Sequence, residues 1–125
     1  MTQTITDSLL ERIHTKQAQI GVIGLGYVGL PLVLRFCEET FRVLGFDIDE
    51  SKVEKLNCGE TYIKHIPAPS IRWLRGSGLF EATSDYSRLP EADCLIICVP
   101  TPLDKNKGPD MSYIEKTSEE IARTL

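Results

Sequence analysis

Near its amino terminus the chain reads Ile20-Gly21-Val22-Ile23-Gly24-Leu25-Gly26-Tyr27-Val28-Gly29. A short apolar run is followed by glycines in the pattern G-x-G-x-x-G. When such a loop joins a strand to a helix, it is typical of a turn that binds a pyrophosphate. We expect Gly24 to allow the tight turn, Gly26 to leave room for the pyrophosphate, and Gly29 to let the helix pack close to the strand. The helix N-terminus would then offer its N–H groups and positive dipole end to the phosphates.

The residues after this loop predict the rest of a strand–helix–strand unit. Residues 27–39 have a helical apolar stripe, and Pro31 falls near the first turn, where a missing N–H costs little. A second strand over residues 42–46 ends at Asp47. A carboxylate there can accept hydrogen bonds from ribose hydroxyls and would repel a 2′-phosphate, and no arginine follows it. The pattern therefore predicts NAD rather than NADP, with Asp49 as the cap of the next helix.

The remaining segments predict alternating strands and helices. They are a helical preface over residues 1–19, a helix over 49–59, a short helix over 71–75 ended by Gly76 and Gly78, strands over 80–84 and 93–99, a helical turn over 86–91, and a helix over 111–125 anchored by Ile114, Ile121 and Leu125. This order predicts an α/β fold of the Rossmann type, a doubly wound parallel sheet. Four strands are predicted where a complete fold has about six. We therefore expect a dinucleotide-binding domain over residues 20–125 that is incomplete on its C-terminal side.

A second candidate binding loop follows the last predicted strand. It reads Val99-Pro100-Thr101-Pro102, and ligands of doubly wound folds bind beyond the carboxyl ends of the strands. The position alone leaves open whether Thr101 contacts a cofactor or belongs to a plain loop. His65 lies in another loop that could face ligand or solvent.

Composition excludes several classes of protein. The 125 residues carry a net charge of -4 without a Lys/Arg cluster, which argues against binding to nucleic acid or an anionic membrane. The longest uncharged run, residues 20–34, is shorter than the roughly 20 residues that span a bilayer, and residues 1–19 lack the apolar core of a secretory signal. The four cysteines form no C-x-x-C pair and no metal-ligand spacing. These features predict a cytoplasmic protein with reduced thiols and no metal site.

Three segments together resemble the UDP-glucose/GDP-mannose dehydrogenase family. They are Gly24-Leu25-Gly26-Tyr27-Val28-Gly29-Leu30-Pro31; Gly45-Phe46-Asp47-Ile48-Asp49 with Lys52-Val53 and Leu56-Asn57; and Val99-Pro100-Thr101-Pro102. The resemblance covers residues 20–125. It implies that Gly24, Leu25, Gly26, Tyr27, Val28 and Gly29 surround the pyrophosphate of NAD. It further implies that Asp47 holds the adenosine ribose, that Lys52 lies near the adenine end, and that Val99, Pro100 and Thr101 border the nicotinamide half.

The resemblance also implies an activity. Members of the family oxidise the C6 alcohol of a nucleotide sugar to a carboxylate with two NAD⁺, which here would supply precursors of surface polysaccharides. The segment Tyr62-Ile63-Lys64-His65-Ile66 looks most like the UDP-N-acetylglucosamine 6-dehydrogenase type. The expected partners are a UDP-sugar and further copies of the chain. The family's catalytic cysteine lies in later domains, so no catalytic residue is predicted here, and we expect this chain alone to be inactive.

Other interpretations stay open at this level. A UDP-glucose 6-dehydrogenase would share the same cofactor loop. Dehydrogenases of the 6-phosphogluconate or hydroxyacyl-CoA type open similarly, although the former usually prefers NADP and a basic residue after the second strand. A flavin domain usually carries Glu at the end of that strand. A stand-alone dinucleotide-binding module without chemistry is also compatible with these residues.

Overall fold

The computed structural model describes residues 4–64, 66–99, 108 and 111–124. In chain order the elements are α1 (Ile5–His14), β1 (Gln19–Ile23), α2 (Gly29–Glu38), β2 (Arg42–Phe46), α3 (Glu50–Asn57), α4 (Ala68–Ser77), β3 (Phe80–Thr83), a 3-10 helix (Tyr86–Glu91), β4 (Cys94–Ile97) and α5 (Ser112–Thr124). His65, Pro100, Thr101 and Leu125 lie outside the described residues.

The four strands form one parallel sheet in the order β3-β2-β1-β4. This order confirms the predicted doubly wound α/β fold, because the strands are laid down outward from β1 first on one side and then on the other. The reversal lies between β1 and β4. Ligands of such sheets bind in the crevice at this switch point, beyond the carboxyl ends of the strands. The glycine-rich loop after β1 and the residues after β4 both end there.

The larger part of the core covers one face of the sheet. Inward-facing side chains of β1 and β2 pack there against α2, α3 and α4. The central buried residues are Ile20, Val22, Val43, Leu30, Val33, Leu56, Ile71 and Leu74. Leu25 joins this cluster because Gly45 in β2 leaves room for it: a Cβ at Gly45 would lie 2.8 Å from Leu25 Cδ2. The glycine-rich loop is thus fixed to the sheet by its own buried leucine.

A smaller cluster covers the opposite face. Ile23, Leu44 and Phe46 pack there against Leu89 of the 3-10 helix, with Ile121 of α5 alongside. The ring of Tyr86 meets Phe46 edge-on, at 5.6 Å between centroids. The 3-10 helix and α5 therefore form the second helical layer, and they bring α5 next to the carboxyl ends of the strands. Thr117 is the buried residue of α5, while the predicted anchors Ile114 and Ile121 are only half-buried.

Two helices differ from the sequence expectations. The predicted helix over residues 71–75 in fact runs from Ala68 to Ser77, because Pro69 is tolerated in its first turn and Gly76 is accommodated inside it. Gly78 ends it, with φ of 72° in the left-handed region. The preface helix α1 forms as predicted, but it buries none of its residues. An ion pair between Arg12 and Asp93, at 2.6 Å, links α1 to the start of β4.

In the described part of the chain, no helix is both long and apolar enough to cross a membrane.

Candidate functional site

The first glycine of the loop makes the turn that leaves β1. Gly24 has φ of 99°, a conformation that side chains rarely adopt. Its N–H donates to the carbonyl of Phe46 at 2.7 Å, and a Cβ at this position would lie 2.5 Å from the carbonyl oxygen of Cys98. The loop therefore turns sharply between the ends of β2 and β4.

The next residue, Leu25, is held on three sides. Its side chain is fully buried, and its N–H donates to Oδ2 of Asp47 at 2.9 Å. Its carbonyl accepts a hydrogen bond from the hydroxyl of Tyr62. The backbone of the loop is consequently fixed by one side chain from the end of β2 and one from the segment between α3 and α4.

Gly29 and Gly26 differ in their surroundings: Gly29 is in close contact with the loop, whereas Gly26 borders open space. A Cβ at Gly29 would lie 1.7 Å from the carbonyl oxygen of Gly24, so the first turn of α2 packs directly on the loop. The close approach is to this carbonyl, whereas the sequence predicted approach to the strand. A Cβ at Gly26 would meet none of the described protein atoms within 4 Å. The space beside Gly26 is therefore open to a ligand.

The N-terminus of α2 faces this space. Thr4 and Asp49 cap α1 and α3 through side-chain hydrogen bonds, whereas no side chain of the described residues caps α2, and its first turn carries no acidic residue. A helix N-terminus presents N–H groups and a partial positive charge. This end of α2 suits an anionic group such as a phosphate as its cap.

Asp47 lies at the end of β2 and is only 8% exposed. Its Oδ2 accepts from the N–H of Leu25 and its Oδ1 accepts from the N–H of Asp49 at 2.9 Å. Each oxygen has further lone-pair capacity for a ligand donor. Asp49, as predicted, caps α3 by accepting from the N–H of Ser51 at 3.0 Å.

These features border one cleft of about 970 Å³ at the carboxyl edge of the sheet. Its volume is near the upper end of the roughly 300–1,000 Å³ common for small-molecule sites. Tyr27, Val28 and Ile48 line it and are strongly exposed, so the cleft presents apolar surface that a ligand can cover. Of the site residues predicted from the sequence, the cleft brings together Gly24, Leu25, Gly26, Tyr27, Val28, Asp47, Lys52 and Val99. Gly29 lies buried beneath its floor.

Several residues that line the cleft or lie beside it were not predicted as part of the site. Tyr62 holds the loop, and Nζ of Lys52 lies 5.6 Å from the centroid of its ring. Tyr86 lines the cleft, and burial, aided by the charges of Asp47 and Glu120, raises its pKa to about 12. One face of α5 forms the far wall through Tyr113, Lys116, Thr117, Glu120 and Arg123. The spacing of these residues places them on one side of a helix, but polarity alone does not distinguish that side from a solvated one.

The cysteines near the site do not have the properties of a nucleophile. Cys98 lines the cleft, but burial raises the pKa of its thiol. Burial raises the pKa of Cys37 to about 11. Thiols with a raised pKa remain protonated and react poorly at neutral pH. Within residues 4–64, 66–99, 108 and 111–124, no group of His, Cys, Asp or Glu is arranged to hold a metal ion.

One protein-family model matches most of this chain. Residues 18–125 match the model described as the UDP-glucose/GDP-mannose dehydrogenase family, NAD binding domain. The chain belongs to this family. NAD is accordingly the cofactor of the domain.

Similar proteins carry the names of nucleotide-sugar dehydrogenases. The chain is 38% identical over 108 residues to UDP-N-acetyl-D-mannosamine dehydrogenase of Escherichia coli K12, covering 86% of this chain and 25% of that protein. It is 34% identical over 110 residues to UDP-N-acetyl-D-glucosamine 6-dehydrogenase of Pseudomonas aeruginosa, covering 88% and 25%. The chain thus spans about a quarter of the length of these curated relatives.

A solved structure agrees with this assignment. The crystal structure of NDP-N-acetyl-D-galactosaminuronic acid dehydrogenase from Methanosarcina mazei superposes with a TM-score of 0.81 at 30% identity, covering 99% of this chain and 28% of that one. Membership of the family excludes the flavin domain and the 6-phosphogluconate and hydroxyacyl-CoA types of dehydrogenase, which the sequence had left open.

The residues of this NAD-binding domain fit the cofactor. The uncapped N-terminus of α2 and the open space at Gly26 suit a pyrophosphate. The carboxylate of Asp47, held at the end of β2, suits a ribose diol. Both features open into one cleft.

Proposed function

We propose that this chain is the NAD-binding part of a nucleotide-sugar 6-dehydrogenase that oxidises the C6 alcohol of a UDP-N-acetylhexosamine to the uronate. The observation that carries the proposal is the cleft at the switch point, where the uncapped N-terminus of α2 and the carboxylate of Asp47 face the same space. The names of the relatives support the class of substrate.

In this proposal each group has one task. The N-terminus of α2 and the loop at Gly26 bind the pyrophosphate, and Asp47 binds the adenosine ribose and disfavours a 2′-phosphate. Lys52 lies toward the adenine end, and Val99, with Pro100 and Thr101, borders the nicotinamide half. NAD, when bound, would accept a hydride from C6 of the sugar, and each of the two oxidation steps would use a separate NAD⁺.

The chemistry on the sugar is assigned to residues outside this chain. The resemblance to the family implies that a cysteine nucleophile in later domains holds the intermediate aldehyde covalently between the two oxidation steps. The raised pKa values of Cys37 and Cys98 argue against either thiol in that role. We therefore propose that residues 20–125 form the NAD-binding domain of a longer enzyme and that residues 1–19 form a helical preface to it. In this proposal the longer enzyme is cytoplasmic and acts as a homo-oligomer. The 125 residues alone are then inactive.

The N-acetylated class of substrate rests on the relatives more than on the segment after α3. Tyr62 bonds the cofactor loop, and Ile63 and Ile66 are buried in the core. These three residues therefore have roles within the NAD-binding domain, and His65 lies outside the described residues. Among N-acetylhexosamines, UDP-N-acetylglucosamine stays our first candidate because the segment at residues 62–66 resembles that type, and UDP-N-acetylmannosamine is the second. Both sugars occur in the names of relatives.

The experiment is a substrate panel given to the full-length protein with NAD⁺. UDP-glucose, UDP-N-acetylglucosamine, UDP-N-acetylgalactosamine and UDP-N-acetylmannosamine are supplied separately, and the NADH formed is counted against the sugar consumed. We expect two NADH for each N-acetylated sugar oxidised and little turnover of UDP-glucose. Turnover of UDP-glucose alone would overturn the substrate class and keep the reaction. NAD binding without turnover of any sugar would favour the stand-alone dinucleotide-binding module.

A further inference from the structure

The loop residue between the first two glycines is fixed by two side chains from different parts of the chain. This residue is Leu25. Its N–H donates to the carboxylate of Asp47 at 2.9 Å, and its carbonyl accepts a hydrogen bond from the hydroxyl of Tyr62. The two bonds engage both polar groups of one residue. They leave the two peptide planes of Leu25 little freedom to rotate, and its carbonyl shares a peptide group with the N–H of Gly26, the glycine that lines the cleft.

Tyr62 is itself held firmly. Its ring is half-buried against the main core cluster, and the ammonium of Lys52 lies 5.6 Å from the ring centroid. The hydroxyl of the preceding residue, Thr61, donates to the carbonyls of Ile63 and Ile66, at 3.1 and 2.7 Å. These hydrogen bonds within the segment, together with the packing of the ring, restrict the position of the tyrosine hydroxyl.

We propose that Tyr62 is a positioning residue for the cofactor, which acts through Leu25 to hold the glycine-rich loop in its NAD-binding conformation. The inference rests on the proposed function of the cleft. Burial of the Leu25 side chain already anchors the loop to the core, so the fold does not depend on the tyrosine hydroxyl. What the hydroxyl adds is the orientation of the peptide that leads into Gly26.

Loss of the Tyr62 hydroxyl is expected to weaken the binding of NAD. Without the hydroxyl, the free loop samples other orientations of the Leu25 carbonyl, and NAD binds only the fraction of molecules in the competent one. A rigid loop avoids this loss of affinity. A hydrogen bond of ordinary net strength corresponds to a change in the dissociation constant of about 3- to 10-fold.

The test compares two hydrogen-bond deletions in the full-length protein. Tyr62→Phe keeps the ring and its contact with Lys52 but removes the hydroxyl. Ser77→Ala removes a hydroxyl that donates to the carbonyl of Leu74 at 2.6 Å and accepts from the N–H of Leu79 at 3.1 Å, at the end of α4 and away from the cleft. NAD affinity is measured by calorimetry and stability by thermal unfolding.

We expect Tyr62→Phe to raise the dissociation constant for NAD about 3- to 10-fold, and its KM for NAD likewise, with kcat and the KM for the sugar unchanged. Ser77→Ala is expected to lower the melting temperature without changing NAD affinity. Wild-type affinity in Tyr62→Phe would overturn the proposal, as would an equal loss in Ser77→Ala. Absence of NAD binding in the wild type would instead overturn the proposed function, and this proposal with it.

A second measurement covers the case in which Tyr62→Phe does not fold. 3-Fluorotyrosine at position 62 alone keeps the hydroxyl and supplies a ¹⁹F signal next to the loop. We expect that signal to shift when NAD saturates the protein, because the charged cofactor changes the electric field at the Leu25 carbonyl, to which the hydroxyl donates. A signal that does not change on saturation would contradict the proposal.

Discussion

The substitution Gly29→Ala is expected to lower the free energy of unfolding by about 3–5 kcal/mol and to abolish measurable NAD binding. A Cβ at this position would lie 1.7 Å from the carbonyl oxygen of Gly24 and 3.4 Å from the Cβ of Cys98. The first contact is with backbone, which cannot rotate away as a flexible side chain can. To relieve this clash, either α2 must shift away from the loop or the loop must change its conformation at Gly24. Either change displaces the N-terminus of α2 from the cleft.

Gly26→Ala is the matched control in the same loop. Its Cβ would meet none of the described atoms within 4 Å, and Gly26 is not among the glycines with positive φ. We expect its stability to stay within about 0.5 kcal/mol of the wild type. Its NAD affinity should fall about tenfold or more, because the added methyl group occupies the space assigned to the pyrophosphate. Urea denaturation and calorimetry separate the two effects, and a stable Gly29→Ala that binds NAD normally would contradict this account of the loop.

Asp47→Asn is expected to reduce NAD affinity about tenfold or more and to cost about 1–3 kcal/mol of stability. The wild-type carboxylate accepts backbone N–H groups on both oxygens, from Leu25 and from Asp49. An asparagine can accept on one side only, so its amide N–H₂ group faces an N–H donor on the other. The neutral side chain also no longer repels a 2′-phosphate, so the preference for NAD over NADP should narrow.

The control for this prediction is Asp93→Asn. Asp93 also accepts from a backbone N–H, that of Gln19 at 2.8 Å, and pairs with Arg12, but it lies at the amino end of β4, opposite the cleft. Its loss should lower stability and leave both dinucleotide affinities unchanged. If Asp47→Asn kept the wild-type ratio of NAD to NADP dissociation constants, the assignment of Asp47 to the ribose would be wrong.

The fold was predictable because its signals are local. The apolar run of β1, the glycine pattern and the acidic residue after β2 each occupy only a few residues, and together they predict the parallel unit. Asp49 as the cap of α3 follows from the same reasoning, since a cap needs only its own helix. The left-handed Gly24 is likewise a property of the turn in which it lies.

The rest of the site depends on contacts between distant segments. Nothing near Tyr62 in the sequence reveals that its hydroxyl reaches Leu25, which is 37 positions away. The face of α5 that lines the cleft is polar, so its pattern cannot be distinguished from that of a solvent-exposed face. For α1 the opposite holds: its apolar spacing predicts the helix, but none of its side chains is buried, because periodicity does not reveal what a helix packs against.

The central claim is that NAD binds in the cleft between the N-terminus of α2 and Asp47. A calorimetric titration of the full-length wild-type protein with NAD⁺ and, separately, with NADP⁺ tests it most directly. We expect saturable binding of one NAD⁺ per chain and affinity for NADP⁺ that is weaker by about tenfold or more, because Asp47 lies where a 2′-phosphate would be. No saturable binding of NAD⁺, or binding of NADP⁺ as tight as that of NAD⁺, would contradict it.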